Sequence, residues 1–446
     1  MYQGRGELDR APCVEAPAPG ASLLPYGVAH FGKSLFWHSS ELVFAFFLTE
    51  RAGIPPAWMG AVLAGGLVLS ALIDLIVGWH LRGASFTLAR ACRLQLAGAC
   101  ISAAAITPLF AADLLPEAWR LAWTALLAIA FRVAYALYDI PQNATLSLTT
   151  RNARERARLS ALRLFFSGLA SIVVATALVW LVSARSGGSG GFALAALGMS
   201  AIAIASAWRL TRLAPPAHVG AAATVPHQAA TGGIGLTPLL LLMLVLSAAA
   251  SAFSKLEPYY VSYRWQGQGG TIIIAASFGF ALAQPLWFGA IRRLGFLTAL
   301  CTAIGALAAA ALGFTLAEPF GYYVQAAFAF LFGAAHGGIS TALWACFADT
   351  VSRRRPTVSA PAFALLTATS KFGLAAASLA IAGWLSLVHY RVAGARLDAP
   401  MAGFPIAGAA AALFIVACAR SCHRRGSGDA GSWDRARSRQ TSEMGA

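Results

Sequence analysis

The chain has 446 residues, 58% of them hydrophobic and only 11% charged, and a mean hydropathy of +0.67. A soluble domain carries roughly a quarter charged residues, so this composition excludes a globular protein that covers itself with polar groups and makes lipid its main solvent. The net charge of +16 would suggest nucleic acid in a soluble protein; here it reflects the Lys and Arg that cytoplasmic loops of membrane proteins collect, so membrane lipid is an expected partner and nucleic acid is not.

In chain order, residues 1–26 are rich in Pro and Ala, with no basic start followed by an apolar run. They predict a disordered cytoplasmic N-terminus and no cleavable signal. A membrane span needs about 20 predominantly apolar residues. Taking loops at clusters of charge, Gly and Pro predicts twelve transmembrane helices, at 27–48, 57–80, 94–112, 119–141, 160–183, 191–210, 237–263, 271–290, 296–316, 320–347, 358–387 and 400–419. They fall into two six-helix bundles, 27–210 and 237–419, joined by a cytoplasmic linker, 211–236, that contains Pro215, Pro216, His218, Pro226 and His227. Residues 420–446, rich in Arg, Ser and Gly, read as a disordered basic cytoplasmic tail.

Of the 33 basic residues, 22 lie in the segments that are cytoplasmic if both termini are inside, six in the opposite segments and five within spans. That bias supports both the span count and the orientation. An all-α membrane protein of six plus six helices with a central cytoplasmic loop has the layout of the major facilitator fold, whose solute site lies between the halves near the membrane midplane. The fold needs no partner, so a monomer is expected.

Ionisable groups inside spans are costly and mark solute or ion pathways. In the first span Lys33, Trp37 and Glu41 are spaced i, i+4, i+8 and share one face, with His30, Ser34 and His38 beside them. The stripe reads as a cavity wall or as a Lys33–Glu41 structural pair. In the second span Ser70 and Asp74 sit one turn apart, and an isolated carboxylate at that depth must be protonated or paired. In the fourth, Arg132, Tyr135 and Asp139 share a face, and Pro141 is expected to end or kink the helix. Arg163 in the fifth span is a partner for Asp139 or a planar donor to the solute.

Lys255 and Glu257 flank a Pro258 step near the outer end of the seventh span, where a lysine can reach the interface. Lys371, with Thr367 and Ser370, is a candidate cross-bundle partner of Asp74 or Asp139. Asp349 with Arg353–Arg355, and Arg154 and Glu155, lie at the cytoplasmic ends, where they would form salt bridges closing an inner gate or be ordinary positive-inside charge. No CxxC pair, zinc spacing, Walker motif, HExxH or Ser/His/Asp arrangement is present. No metal, cofactor or enzymatic activity is therefore expected.

Several stretches, in order along most of the chain, carry a resemblance. They are Tyr26-Gly27-Val28-Ala29-His30-Phe31-Gly32-Lys33, Ile73-Asp74-Leu75-Ile76-Val77-Gly78-Trp79, Tyr135-Ala136-Leu137-Tyr138-Asp139-Ile140-Pro141 with Asn143-Ala144, Arg154-Glu155-Arg156-Ala157-Arg158-Leu159-Ser160-Ala161-Leu162-Arg163, Ala348-Asp349 and Ser370-Lys371-Phe372-Gly373. The chain resembles the glycoside–pentoside–hexuronide:cation symporters, the family of the melibiose permease. The resemblance implies a cation-binding carboxylate at Asp74, a sugar-binding region at Asp139 and Arg163, and a lysine near the cation site at Lys371.

The chain departs from that family at Ser70 and Ser34, where carboxylates are expected, at Leu75 in place of a proline, and after Gly78, where a charged run is reduced to Trp79-His80-Leu81-Arg82. One carboxylate near a lysine is a poor sodium cage and a good proton site, which favours H⁺ over Na⁺. The reading is thus a proton-coupled symporter of a small polar solute, a sugar, glycoside or related compound, in a bacterial plasma membrane. Asp74, Ser70 and Lys371 would couple the ion, and Lys33, Ser34, Trp37, Tyr135, Asp139 and Arg163 would hold the solute. Proton-antiport export of an amphipathic compound and a non-transporting receptor or scaffold are the alternatives.

Overall fold

The computed structural model describes residues 23–80, 88–149, 153–183, 190–213, 235–352, 359–392 and 397–443; for 146–149, 153–158, 422–443 and some other helix-end positions it describes the backbone alone. Among the described residues there is no strand. The first rod joins α1 (Leu23–His38) to α2 (Phe44–Glu50) through a π turn at Ser39–Val43. Its origin is local. Ser39 Oγ donates to the Leu35 carbonyl at 2.7 Å and Ser40 Oγ to that of Trp37 at 2.8 Å, so two hydroxyls compete for carbonyls of the preceding turn.

The following helices are α3 (Pro56–His80), α4 (Leu88–Leu109), α5 (Glu117–Thr149), α6 (Ala153–Ser183) and α7 (Gly191–Leu213). The second half holds α8 (Leu236–Arg264), α9 (Thr271–Leu282), α10 (Gln284–Leu294), α11 (Phe296–Leu316), α12 (Tyr322–Ser352), α13 (Ser359–Leu387) and α14 (Asp398–Glu443). Ten helices are long and apolar enough to cross a membrane. The pair α9/α10, bent by 44°, makes an eleventh if it is a single span, and the polar α1/α2 rod takes the first of the twelve positions in chain order. Pro285 accounts for the bend, because it lacks an N–H and its ring crowds the carbonyl one turn back. The Gln284 side chain braces it, donating to the Phe280 carbonyl at 2.9 Å and accepting from Thr341 of α12 at 2.6 Å.

The packing repeats. In the first half the α1/α2 rod packs on α6 and α7, α4 on α5 and α7, and α3 on α5. In the second half α8 packs on α13 and α14, α11 on α12 and α14, and α9 on α12. Moving six spans along the chain converts each pairing of the first set into one of the second. Two seams join the halves, α3 against α13 and α6 against α9, and the same six-span shift exchanges them. This is the parallel repeat expected of two facilitator halves about an axis along the membrane normal.

Three boundaries differ from the sequence expectation. Helix α1 begins at Leu23, inside the segment expected to be disordered. Helix α5 does not stop at Pro141 but runs to Thr149, and just beyond the proline the Gln142 carbonyl accepts from Thr145 Oγ1 at 2.7 Å and from Tyr26 Oη at 3.5 Å. Helix α14 continues through the expected tail to Glu443, although Gly426, Gly428 and Gly431 within it are weak helix formers. The linker expected at 211–236 lies mostly outside the described residues.

Close backbone approach sets the α9–α12 contact. A Cβ on Gly279 would lie 1.9 Å from the Phe330 carbonyl oxygen, and one on Gly333 1.9 Å from that of Ala276. Small residues let membrane helices approach without a hydrophobic drive between them. Gly279→Val is expected to lower stability by about 1–3 kcal/mol, as overpacking does, while Gly305→Ala, where nothing lies within 4 Å of the added carbon, leaves it unchanged. Thermal unfolding of the detergent-solubilised variants measures both.

Candidate functional site

The first span and α5 run antiparallel and meet in three rungs. Lys33 Nζ lies 2.5 Å from Asp139 Oδ1. One turn along, the Trp37 and Tyr135 rings face each other with centroids 5.9 Å apart. One further turn along, Arg132 Nη2 lies 3.1 Å from Glu41 Oε1. The spacing i, i+4, i+8 on one helix against i, i+3, i+7 on the other produces this register, each rung about 6 Å from the next. Ser34 is buried beside the first rung, and Lys33 also reaches Asn143 Oδ1 at 3.5 Å.

The third rung extends to the other half. Lys255 Nζ of α8 lies 2.5 Å from Glu41 Oε2 and 2.6 Å from Ser251 Oγ. Two sequence expectations are thereby corrected. Glu41 pairs with Arg132 and Lys255, not with Lys33, because two turns separate the latter pair while both partners of Glu41 stand level with it. Lys255 does not reach the interface: it is 2% exposed, since it lies nine residues inside the end of α8 and finds a carboxylate there.

Lys371 of α13 crosses the first seam. Its Nζ lies 2.7 Å from Asp74 Oδ2 and donates to Ser70 Oγ at 2.8 Å, with both charged side chains 4% exposed. The ammonium thus bridges the Asp74 carboxylate and the Ser70 hydroxyl across the seam. Asp74 and Asp139 do not share Lys371 as a direct ion-pair partner. Arg163 is half-buried and forms no ion pair with Asp139, which Lys33 occupies; its guanidinium sits 5.9 Å over the Trp344 ring of α12. Of the expected inner gate, the side chains of Arg154 and Glu155 lie outside the described residues, and Asp349 is half-buried near the end of α12.

A closure at the opposite end of the first span was not foreseen. Glu50, the last residue of α2, accepts from the Tyr263 hydroxyl of α8, from Tyr390 Oη at 2.7 Å and from Arg391 Nη2 at 3.2 Å. Thr49 adds its carbonyl to Arg391 at 3.1 Å and its hydroxyl to Tyr259 at 2.8 Å. All these partners belong to the second half. Outside the spans, burial and the Glu50 charge push the Tyr390 phenol up, so it stays a donor; burial pulls Arg391 down, but the bond and charge of Glu50 outweigh it and raise it. In sequence, Thr49-Glu50-Arg51 looks like ordinary loop charge, and nothing in its spacing signals these partners.

Two outcomes follow. Lys371→Gln, which strands a buried carboxylate, is expected to cost about 3–5 kcal/mol, whereas Lys371→Gln with Asp74→Asn recovers most of it; thermal unfolding of the three proteins checks this, and equal losses would refute the pairing. Glu50→Gln removes charge-assisted bonds worth about 1.5–3 kcal/mol. It should therefore raise the labelling rate by an impermeant maleimide of a Phe46→Cys probe, which replaces a ring packed on Tyr259 of the second half, roughly tenfold, and an unchanged rate would show that the closure lies elsewhere.

Comparison with known proteins places this geometry. A curated relative, an uncharacterized symporter from Synechocystis sp., is 31% identical over 150 residues, 32% of this chain and 28% of the relative, so the match spans well under half of either. Among solved structures, a point mutant of the nucleoside transporter NupG superposes with a TM-score of 0.62 at 15% identity, covering 88% of this chain and 99% of that one. A bacterial homologue of the iron transporter ferroportin, in an inward-facing state, gives 0.58 at 13% identity, covering 90% and 97%. Both likenesses concern the fold alone. The model of the MFS/sugar transport proteins matches residues 25–419, from the start of α1 through the membrane part of α14, and the chain belongs to that family.

Proposed function

We propose that this protein is a secondary active transporter that moves a small polar solute together with a proton, by alternating access. The reading places it in a bacterial plasma membrane with both termini cytoplasmic, in keeping with the 22-to-6 split of basic residues between the two sets of loops. The observation that carries it is the Asp74–Lys371 pair, 2.7 Å apart and buried on the seam that joins the halves. A scaffold gains nothing from a costly buried pair there, and a carrier can use it.

Protonation of Asp74 removes the negative partner and leaves Lys371 charged in a low-dielectric seam. An uncompensated buried charge costs several kcal/mol, so the proton converts a stable α3–α13 contact into one that favours rearrangement. Na⁺ is the less suited ion. Asp74 offers one carboxylate with Ser70 beside it, and among the described residues no three His, Cys, Asp or Glu side chains cluster as metal ligands. The solute would lie on the Trp37–Tyr135 rung, with its polar groups toward Lys33, Ser34, Asp139 and Arg163.

Asp74→Asn is the test. In proteoliposomes the variant should lose solute accumulation driven by a pH gradient, by about tenfold or more, while retaining energy-independent counterflow. Accumulation against a gradient by the variant would remove Asp74 from the coupling step.

A further inference from the structure

The buried ion pairs are not equal in charge. Lys33–Asp139 and Lys371–Asp74 each balance one cation with one anion. The Glu41 group sets two cations, Arg132 and Lys255, against a single carboxylate. Arg132 and Lys255 are each only 2% exposed, so bulk water does little to offset the surplus positive charge. Glu257, two residues beyond Lys255, lies on another side of α8 and cannot neutralise it. Arg163, over Trp344, adds a further positive charge to the interior. Uncompensated buried charge is expensive, so a site of this composition is completed by an anion.

The donors for that anion are in place. Arg132 spends Nη2 on Glu41, and its Nη1 is buried with no hydrogen-bond partner. Lys255 has three ammonium hydrogens and two acceptors, Glu41 and Ser251. Glu41 keeps 14% of its side chain accessible, so the group is not sealed. It stands one helical turn, about 6 Å, from the Trp37–Tyr135 rung. A solute stacked there reaches it with a single substituent.

We propose that the Glu41–Arg132–Lys255 triad binds the carboxylate of the transported solute, making this protein a carrier of an organic anion. This rests on the transport reading above and names the substrate class of that same site. Arg132 Nη1 and the free Lys255 hydrogen take the two oxygens, while Glu41 holds both cations in register. Loading is then charge-balanced across the membrane: the anion offsets the triad and the proton travels with it.

The test uses the purified full chain in detergent, without a gradient. Binding is read by thermal shift and calorimetry at constant ionic strength for two matched pairs, gluconate against gluconamide and benzoate against benzamide, with chloride as an inorganic control. At least one carboxylate should bind tenfold or more tightly than its amide. That preference should vanish in Arg132→Gln and return in Arg132→Lys. If Arg132→Gln is not monodisperse, Lys255→Gln carries the same expectation.

No preference for carboxylate over amide, a preference that survives the substitution, or stabilisation by chloride alone overturns the proposal. The readout is independent of coupling. Accumulation by Asp74→Asn together with a charge preference lost in Arg132→Gln would sink the coupling role and leave the anion site standing.

Discussion

A charge placed in hydrocarbon must find its opposite, and in this protein the first span makes that demand three times. Lys33, Glu41 and Glu50 are spread along one rod; Lys33 and Glu41 meet partners on other helices, and Glu50, at the rod's end, meets Tyr263 of α8 and the turn that follows α13. Lys33 is answered within its own half by Asp139. Glu41 is answered from both halves, by Arg132 and Lys255, and Glu50 from the second half alone. The side chains that make a polar helix tolerable in lipid therefore also tie the two halves together, increasingly toward the Glu50 end. A transport cycle that opens that end must exchange these partners for others or for water.

The two seams between the halves are equivalent in topology and different in chemistry. The α6–α9 seam is made of small residues and hydroxyls: a Cβ on Gly168 would lie 2.6 Å from that of Ala281, and Ser171 donates to Ser277 at 3.0 Å. The α3–α13 seam packs as closely at Gly60 against Ala382 but also carries Asp74, Ser70 and Lys371. A backbone repeat thus supports an asymmetric device. Close small-residue contact can slide or rock at low cost, whereas the charged seam is tied by a buried ion pair.

Much of this was legible in the residues. The i, i+4, i+8 spacing of Lys33, Trp37 and Glu41 required a common face, and the matching spacing of Arg132, Tyr135 and Asp139 required another; the two faces are the ones that meet. Lys371 as a cross-bundle partner of Asp74 or Asp139 was also legible, and the structure chose Asp74. The pairing inside the first span did not follow, because spacing along one helix says which residues are neighbours and nothing about what stands opposite. Lys255 was misplaced for the same reason: a lysine nine residues from a helix end can reach the interface, and only the position of Glu41 shows that it does not. Pro141 looked like a helix stop because its missing N–H and ring clash are local rules, and nothing in the local spacing says that the helix is carried past them.

By itself the sequence determined the solvent, the approximate limits of most of the spans, and the set of side chains that had to be withdrawn from lipid, since all of these depend on composition and on the fixed rise and period of a helix. The tertiary structure alone decided which charge meets which, that one carboxylate is shared by two cations, and that the halves are closed at Glu50. Those outcomes depend on distances across a gap between helices, and an ion pair is set by that separation, not by any spacing along the chain.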